Sequence, residues 1–134
     1  MFDIKDKNVL ITGATSGIGR AAVLSLSNMG ANISFIARNS EKADKLCQEI
    51  FDKTGKRPNS IIADLSSQED IKKAAHEYIH LGIPLHVLLN NAGIMNSSRR
   101  ETVDRFEEIF AVNHLAYYSL TVLLLDKIKE STPS

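Results

Sequence analysis

Three glycines, at positions 13, 17 and 19, lie between an apolar strand at residues 8–12 and a helix that begins near Ile18. Gly13 can adopt backbone angles closed to other residues, Gly17 lets a diphosphate approach the main chain, and Gly19 lets the helix lie close to the strand. The free N–H groups and the dipole at the helix start favour an anionic ligand. The stretch therefore predicts a phosphate-binding turn, and a simple tight turn between strand and helix remains the alternative.

Length and charge limit the classes of function. The 134 residues suit one domain, 1–134, and the 16 basic residues balance the 16 acidic ones. This balance gives no long-range field for nucleic acid, so no nucleic-acid partner is predicted. The acidic start at residues 1–6 is unlike a signal peptide, and we identify no stretch that is long and apolar enough to span a bilayer. We therefore expect no membrane partner.

Cysteine and histidine give no sign of redox or metal chemistry. The single cysteine, Cys47, falls on a helical apolar stripe, which predicts a buried structural thiol and excludes a disulfide framework. A chain without disulfides fits a reducing compartment, and we predict a cytoplasmic location. The four histidines do not form a metal-ligand pattern, so no metal site is predicted. They are His76, His80, His86 and His114.

The elements around the glycine turn alternate between strand and helix. We predict strands at 8–12, 32–37, 61–63 and 85–89 and helices at 18–29, 40–54, after residue 66 and at 102–129. For the third helix, Ser66 and Glu69 form a capping-box pattern. This alternation is typical of an α/β fold with a doubly wound parallel (Rossmann) sheet. Right-handed crossovers give the strand order 3-2-1-4, with ligands at the carboxyl ends of strands 1 and 4.

The predicted long helix carries an amide, Asn113, within an apolar stripe. The apolar members of the stripe are Phe106, Ile109, Phe110, Tyr117, Leu120, Leu124 and Ile128. A buried amide must have its hydrogen bonds met, so Asn113 is either a brace for neighbouring backbone or a catalytic group. The opposite face is also apolar, which predicts cover by a partner chain or by a segment absent from this sequence. We expect a homo-oligomer formed through the 102–129 helix.

Four motifs in order resemble the cofactor half of the short-chain dehydrogenases/reductases. They are Thr12-Gly13-x-x-x-Gly17-Ile18-Gly19, Asp64-Leu65, Asn90-Asn91-Ala92-Gly93 and Asn113. Within that family, residues 90–95 and 110–115 look most similar to the retinol dehydrogenase and WW-domain oxidoreductase branch. The resemblance covers the whole chain, and four ordered motifs are more specific than any one of them.

The resemblance implies a role for each matching residue. The residues assigned to the cofactor diphosphate are Thr12, Gly13, Thr15, Ser16, Gly17, Ile18 and Gly19, with Thr12 also tying the turn to residues 90–93. Asp64 and Leu65 are assigned to the adenine pocket, and a loop cap before the third helix is the alternative for Asp64. Residues Asn91, Ala92 and Gly93 are assigned to the cofactor ribose. Asn113 corresponds to the catalytic asparagine, which holds a water for proton relay.

The end of strand 2 bears on the choice of cofactor. An acidic residue there binds the ribose 2′-hydroxyl of NAD, whereas an arginine accommodates the 2′-phosphate of NADP. This strand ends in Arg38 and Asn39, both assigned to the cofactor site, and it has no acid. The Arg38 guanidinium offers a planar donor fork to a phosphate, so NADP is predicted over NAD. A solvated Arg38 is the alternative.

The family chemistry also needs a Tyr-x-x-x-Lys pair and a serine, and the pair does not occur in the 134 residues. Tyrosine is present only at 78, 117 and 118, followed four positions later by Gly82, Thr121 and Val122. We therefore predict the cofactor-binding half of an NADP-dependent oxidoreductase acting on an alcohol or carbonyl, truncated before the catalytic segment and inactive alone. The alternative is a non-catalytic protein that binds NADP or dimerises. A methyltransferase is a weaker third hypothesis, because it would need an acid at the end of strand 2.

Overall fold

A parallel four-stranded sheet forms the centre of the protein in a computed structural model that describes residues 3–132. The strands are β1 (Asn8–Thr12), β2 (Asn32–Ala37), β3 (Asn59–Ile62) and β4 (Val87–Leu89). The helices are α1 (Gly17–Asn28), α2 (Ser40–Thr54), α3 (Gln68–His80) and α4 (Glu108–Glu130). Residues 1, 2, 133 and 134 of the predicted domain 1–134 lie outside the described residues.

The strand order is β3-β2-β1-β4, and every pairing is parallel. In the register, Leu10 of β1 lies opposite Ser34 of β2 and Leu88 of β4. The predicted α/β fold and the strand order 3-2-1-4 are therefore confirmed. The winding reverses between β1 and β4, so a crevice forms where these two strands end.

Burial on both faces of the sheet explains why its central strands are mostly apolar. Successive side chains of a strand point to opposite faces. Val9 and Ile11 accordingly pack in a cluster with α1 and α2, whereas Leu10 packs in a second cluster with α3 and α4. Cys47 lies buried in the first cluster, as predicted, and burial raises the pKa of its thiol.

Several predicted boundaries are wrong by one or two residues. Strand β3 spans Asn59–Ile62 instead of 61–63, and β4 begins at Val87 instead of 85. The capping residue of α3 is Ser67, whose Oγ accepts a hydrogen bond from the Asp70 N–H at 3.2 Å. The predicted cap, Ser66, instead donates its own N–H to Asp64 Oδ1 at 2.9 Å. Ser66 is therefore part of a turn that begins at Asp64, and the helix starts one residue later than the capping-box pattern predicted.

The long helix begins six residues later than predicted. Residues 102–107 form a turn in which the Thr102 N–H donates to the Phe106 carbonyl at 2.9 Å. Glu107 then caps the helix, since its carboxylate accepts from the N–H groups of Phe110 at 2.8 Å and Ile109 at 3.0 Å. These two backbone hydrogen bonds lower the pKa of Glu107. The cap fixes the start of α4 at Glu108.

A π-helical segment, Ala111–Leu115, interrupts α4 and changes which side chains are buried. A π turn contains more residues than an α turn, so it rotates the faces on either side of it relative to each other. After the segment, Leu120 and Leu124 are buried as predicted. Within the segment, Ala111 and Val112 are buried, and just before it Phe110 is exposed. The prediction of one unbroken stripe is therefore wrong in its first half.

Helix α4 also corrects the expectation that no stretch is apolar enough to span a bilayer. By length and composition alone the helix qualifies, with a mean hydropathy of 1.3 over its most apolar stretch, of which 28% is buried. Its buried residues, Ala116, Leu120 and Leu124, pack in the same cluster as α3 and Leu10 of β1. A core helix that is apolar on a second face has the same composition as a membrane-spanning helix. The sequence prediction considered the two faces of this helix separately and therefore did not recognise how apolar the helix is as a whole.

The outer face of α4 exposes an apolar stripe formed by Tyr118, Val122 and Leu125, which are 66%, 52% and 40% exposed. Within residues 3–132, β4 pairs with β1 and with no other strand, so one of its edges is open. The predicted self-association through this helix stays a prediction. The helix through which it would occur begins at Glu108 and not at 102, because residues 102–107 are not helical.

Tyr78 provides a test of the fold away from the cleft. Its side chain is fully buried, its hydroxyl donates to the Pro84 carbonyl at 2.9 Å, and burial raises the pKa of Tyr78 to about 12. Tyr78→Phe should lower the free energy of unfolding by about 1 kcal/mol in urea titrations at pH 7. Tyr118, an exposed tyrosine on α4, is the matched control, and Tyr118→Phe should not change the free energy of unfolding.

The same variant has a pH signature. A raised pKa in the folded state means that this group's contribution to stability is intact below pH 10 and is lost as the pH rises toward 12. Wild type should therefore lose more stability than Tyr78→Phe between pH 10 and 12. Parallel stability curves for the two proteins, or an unchanged stability at pH 7, would contradict the burial and bonding of Tyr78.

Candidate functional site

A cleft of about 510 Å³ lies at the carboxyl ends of the strands. Its lining includes Gly13, residues 15–19, Arg38, Asp64–Leu65 and residues 91–93. Segments far apart in the sequence therefore meet at one place, because the parallel strands that precede them end at the same edge of the sheet. The size falls in the range of small-molecule sites. Of the predicted site residues, Thr12, Asn39 and Asn113 are not in the lining.

The glycine turn has the backbone geometry expected of a phosphate cradle. Gly13 and Gly17 have φ angles of +69° and +53°, which other L-residues rarely adopt. A Cβ atom at Gly19 would lie 2.0 Å from the Gly13 carbonyl oxygen, so only glycine lets α1 approach the turn this closely. The sequence prediction of a special role for these glycines therefore matches the observed close packing.

The start of α1 leaves backbone donors at the cleft. The residue before the helix, Ser16, makes no side-chain capping hydrogen bond. The N–H groups of the first turn have no intrahelical partner, and Gly17, Ile18 and Gly19 all line the cleft. The Ile18 side chain is 82% exposed and contributes no buried contact to the core. This arrangement suits an anion held by main-chain N–H groups.

Thr12 joins the glycine turn to the segment after β4. Its side chain is 1% exposed, and its Oγ1 accepts hydrogen bonds from the N–H groups of Asn91 and Ala92, both at 3.0 Å. In return, Asn91 Nδ2 donates to the carbonyls of Thr12 and Gly13, both at 3.1 Å. We call these four hydrogen bonds the Thr12–Asn91 latch. It holds two walls of the cleft at a fixed separation.

Arg38 and Asn39 follow β2 and have different surroundings. Arg38 is exposed and lines the cleft beside Ile36 and Ala37. Asn39 instead caps α2, since its Oδ1 accepts from the Lys42 N–H at 2.9 Å. The structure thus explains Asn39 by helix capping, whereas Arg38 presents its cation at the cleft.

The other arginine near the turn, Arg20, is held by an ion pair. Its guanidinium donates to Glu49 of α2, which also accepts from Lys53 at 2.9 Å. The hydrogen bonds from Lys53 and Arg20 lower the pKa of Glu49. Arg20 is absent from the cleft lining and therefore serves as a natural control for Arg38.

Asp64 lies at the end of β3 and lines the cleft with Leu65. Its Oδ1 accepts from the Ser66 N–H, and its own N–H donates to Asp70 Oδ2 at 3.0 Å. Asp64 therefore caps the loop before α3, as the alternative for this residue predicted. Among the described residues 3–132, none donates a hydrogen bond to the other carboxylate oxygen, Oδ2, which leaves it available to a ligand.

Asn113 is exposed, which corrects the prediction of a buried amide. It lies in the π-helical segment, which turns it out of the buried face. Its Oδ1 accepts from the Ile94 N–H at 2.8 Å, and its Nδ2 donates to the Ile94 carbonyl at 2.9 Å. The hydroxyl of Tyr117 donates to the Ala92 carbonyl. Both side chains brace residues 92–94, as the backbone-brace alternative predicted.

Seven residues of the cleft lining are absent from the predicted site: Ile36, Ala37, Ala63, Ser66, Ile94, Glu108 and Val112. Glu108 and Val112 are four residues apart on one helical face, and both lie inside the predicted helix 102–129. That spacing could have shown them to be neighbours, but no pattern in the sequence shows that this face borders the cleft. Among residues 3–132, no group of three or more histidine, cysteine or acidic side chains is placed to hold a metal ion.

Comparison with known proteins identifies relatives over nearly the whole chain. The family model described as short chain dehydrogenase matches residues 7–133. Human polyprenol dehydrogenase is 37% identical over 127 residues, covering 94% of this chain and 38% of the relative. Human retinol dehydrogenase 11 is 40% identical over 129 residues, covering 96% and 41%. The chain spans about two fifths of the length of the curated relatives that it matches.

Solved structures show the same architecture. A short-chain dehydrogenase of Shigella flexneri, complexed with NADP, has a TM-score of 0.82 and 28% identity over 97% of this chain and 57% of its own. A short-chain dehydrogenase of Sphingobium yanoikuyae, in complex with NADPH, has a TM-score of 0.79 and 27% identity over 93% and 49%. These chains are similar to the present one in both fold and sequence.

The Thr12–Asn91 latch can be tested by a pair of variants. Thr12→Val keeps the shape of the side chain but leaves the N–H groups of Asn91 and Ala92 without their acceptor, whereas Thr12→Ser keeps the hydroxyl. We expect Val to lower the free energy of unfolding by about 2 to 4 kcal/mol and Ser by about 1 kcal/mol or less. Urea unfolding measures both. Equal losses would show that the hydroxyl does not stabilise the fold.

Proposed function

The chain belongs to the short-chain dehydrogenase family, and on that premise we propose that it binds NADP in the cleft as the cofactor-binding half of an oxidoreductase. The proposed reaction moves a hydride between the nicotinamide and an alcohol or carbonyl compound. Bound NADP supplies the hydride chemistry. The residues of this chain bind the cofactor and fix its orientation.

One observation carries the proposal: anion-binding groups of two kinds lie in the same cleft. The glycine turn offers main-chain N–H groups at the start of α1, and Arg38 offers a guanidinium at the end of β2. A dinucleotide with a 2′-phosphate carries anionic groups at two separate points, its diphosphate and its phosphorylated ribose. Two separated sets of donors match that pattern, and a single phosphate would need only one.

The glycine turn also fits the shape of the diphosphate. A Cβ at Gly13 would lie 2.8 Å from the Ala92 Cα, so side chains are excluded where the main chain lines the cleft. Gly17 has no neighbour within 4 Å of its Cβ position, which leaves open space beside its N–H group. A bulky anion can therefore approach the backbone closely.

The preference for NADP rests on charge. The end of β2 presents Arg38 and no carboxylate to the cleft, and an acid at this place is what selects the 2′-hydroxyl of NAD. Two similar structures, from Shigella flexneri and Sphingobium yanoikuyae, are complexes with NADP and NADPH respectively. These relatives support the same cofactor here.

Proton transfer is the part of the reaction for which the 134 residues supply no acid. They contain no Tyr-x-x-x-Lys, and the Tyr117 hydroxyl is engaged with the Ala92 carbonyl. We propose that Asn113 contributes by fixing residues 92–94 beside the cofactor. Completing the reaction then requires a tyrosine and a lysine that are not among these 134 residues.

Exchanging the charge at position 38 tests the cofactor assignment. Arg38→Asp should weaken NADP binding by about 10- to 100-fold, because a charge-assisted hydrogen bond to the 2′-phosphate is replaced by repulsion, and NAD binding should strengthen. Isothermal titration calorimetry with NADP and NAD measures both. Arg20→Ala, which removes an arginine outside the cleft, should leave the ratio of the two affinities unchanged. Equal losses in the two variants would overturn the assignment of Arg38.

A turnover assay tests whether this chain binds the cofactor without catalysing the reaction alone. The chain, once shown by calorimetry to bind NADPH, should not oxidise it in the presence of a panel of aldehydes, because the 134 residues contain no Tyr-x-x-x-Lys pair to give the proton. Clear NADPH oxidation by the wild-type chain would contradict this proposal.

Sedimentation of the same sample tests the alternative of a non-catalytic dimer. The exposed apolar stripe on α4 favours this alternative, and a monomer at all concentrations would exclude it.

A further inference from the structure

Glu108 is a charged residue of the cleft that the family motifs do not explain. The charged side chains in the cleft lining are Arg38, Asp64 and Glu108. The first two follow strands, where motif reasoning predicts ligand contacts. Glu108 comes instead from the first turn of α4, and it is half-buried.

Contacts between α3 and α4 place Glu108 near the end of β3. The N–H of Gln68, at the start of α3, donates to Asp104 Oδ2 at 2.8 Å. Further along α4, Ser119 Oγ donates to Gln68 Oε1 at 2.8 Å. The first bond joins a residue four positions before Glu108 to the start of α3, which is four positions after Asp64. Asp64 and Glu108 both line the cleft, and this bond brings the segments that carry them together.

A hydrogen bond fixes the orientation of the Glu108 carboxylate. Asn96 Nδ2 donates to Glu108 Oε2 at 2.6 Å, and the Glu108 N–H donates to the Arg100 carbonyl at 2.9 Å. Within residues 3–132, Oε1 of Glu108 has no hydrogen-bond partner. One carboxylate oxygen is thus held by the protein, and the other is available to a ligand in the cleft.

The charges in the cleft are sorted by position. The N–H groups of the glycine turn and the Arg38 guanidinium attract anions, whereas Asp64 and Glu108 repel them and accept hydrogen bonds. Two parts of the dinucleotide carry an amino group with two N–H donors, adenine and the nicotinamide carboxamide. Of these, adenine suits the two acceptors, because the resemblance assigns Asp64 and Leu65 to the adenine pocket. A phosphate at this place would be repelled by both carboxylates.

We infer that Glu108 Oε1 accepts a hydrogen bond from the adenine amino group and makes the site selective for a 6-amino purine. The inference rests on the proposed NADP function and adds a specificity-determining residue to it. Asn96 acts as a positioning residue for this carboxylate. A 6-oxo purine would place a carbonyl oxygen against the carboxylate and lose affinity, since two acceptors cannot share a hydrogen bond.

The experiment compares NADP with its deaminated analogue, in which hypoxanthine replaces adenine. Calorimetry gives the ratio of the two dissociation constants for wild type, Glu108→Gln and Glu101→Gln. Wild type should bind NADP more tightly than the deaminated analogue. In Glu108→Gln the ratio of the two dissociation constants should fall about tenfold, because a glutamine amide can donate to the 6-oxo group. Glu101, paired with Arg99 outside the cleft, is the matched control, and its change should not alter the ratio.

The outcomes separate this inference from the proposed function. A wild-type chain that binds neither dinucleotide contradicts the proposed function itself. A wild-type chain that binds NADP, with an unchanged preference in Glu108→Gln, overturns only the role of Glu108. If the glutamine variant does not fold, Glu108→Asp provides the second measurement. Its shorter carboxylate should also reduce the preference, and an unchanged ratio would again overturn the inference.

Discussion

The Thr12–Asn91 latch is the interaction on which the cleft depends. Parallel strands bring the ends of β1 and β4 to the same edge of the sheet, but their connections would be free to separate without a direct bond. The buried Thr12 hydroxyl accepts two N–H groups, and the Asn91 amide returns two hydrogen bonds to the turn. Buried polar groups must be satisfied, so the loss of one partner leaves the groups that it bonded unpaired at a cost in stability.

With that spacing fixed, the surrounding residues sort a ligand by charge. Main-chain N–H groups at the start of α1 and the guanidinium of Arg38 suit anions, and the carboxylates of Asp64 and Glu108 suit N–H donors. Hydrogen bonds hold the two carboxylates. Asp64 Oδ1 accepts from the Ser66 N–H, and Glu108 Oε2 accepts from Asn96 Nδ2. This reduces the cost of ordering these two side chains when the ligand binds.

The sequence was sufficient where a residue type has one physical use. Glycines at a strand-to-helix turn and apolar strands between helices predicted the sheet, its order and most of the cleft. It was insufficient where backbone geometry departs from a regular period. The π-helical segment turned Asn113 outward, and the cap at Glu107 moved the helix start past residue 102. Glu108 lay inside the predicted helix, but the approach of this helix to the cleft is a tertiary contact, and no local pattern marks it.

The central claim is that main-chain N–H groups of the glycine turn bind the diphosphate of NADP. The most direct measurement follows the backbone amide resonances of the ¹⁵N-labelled chain during titration with NADP. The account predicts that the largest shifts occur at Gly13, Gly17, Ile18 and Gly19, with further shifts near Arg38. Saturable binding with no change at these four amides, and shifts confined to another surface, would contradict it.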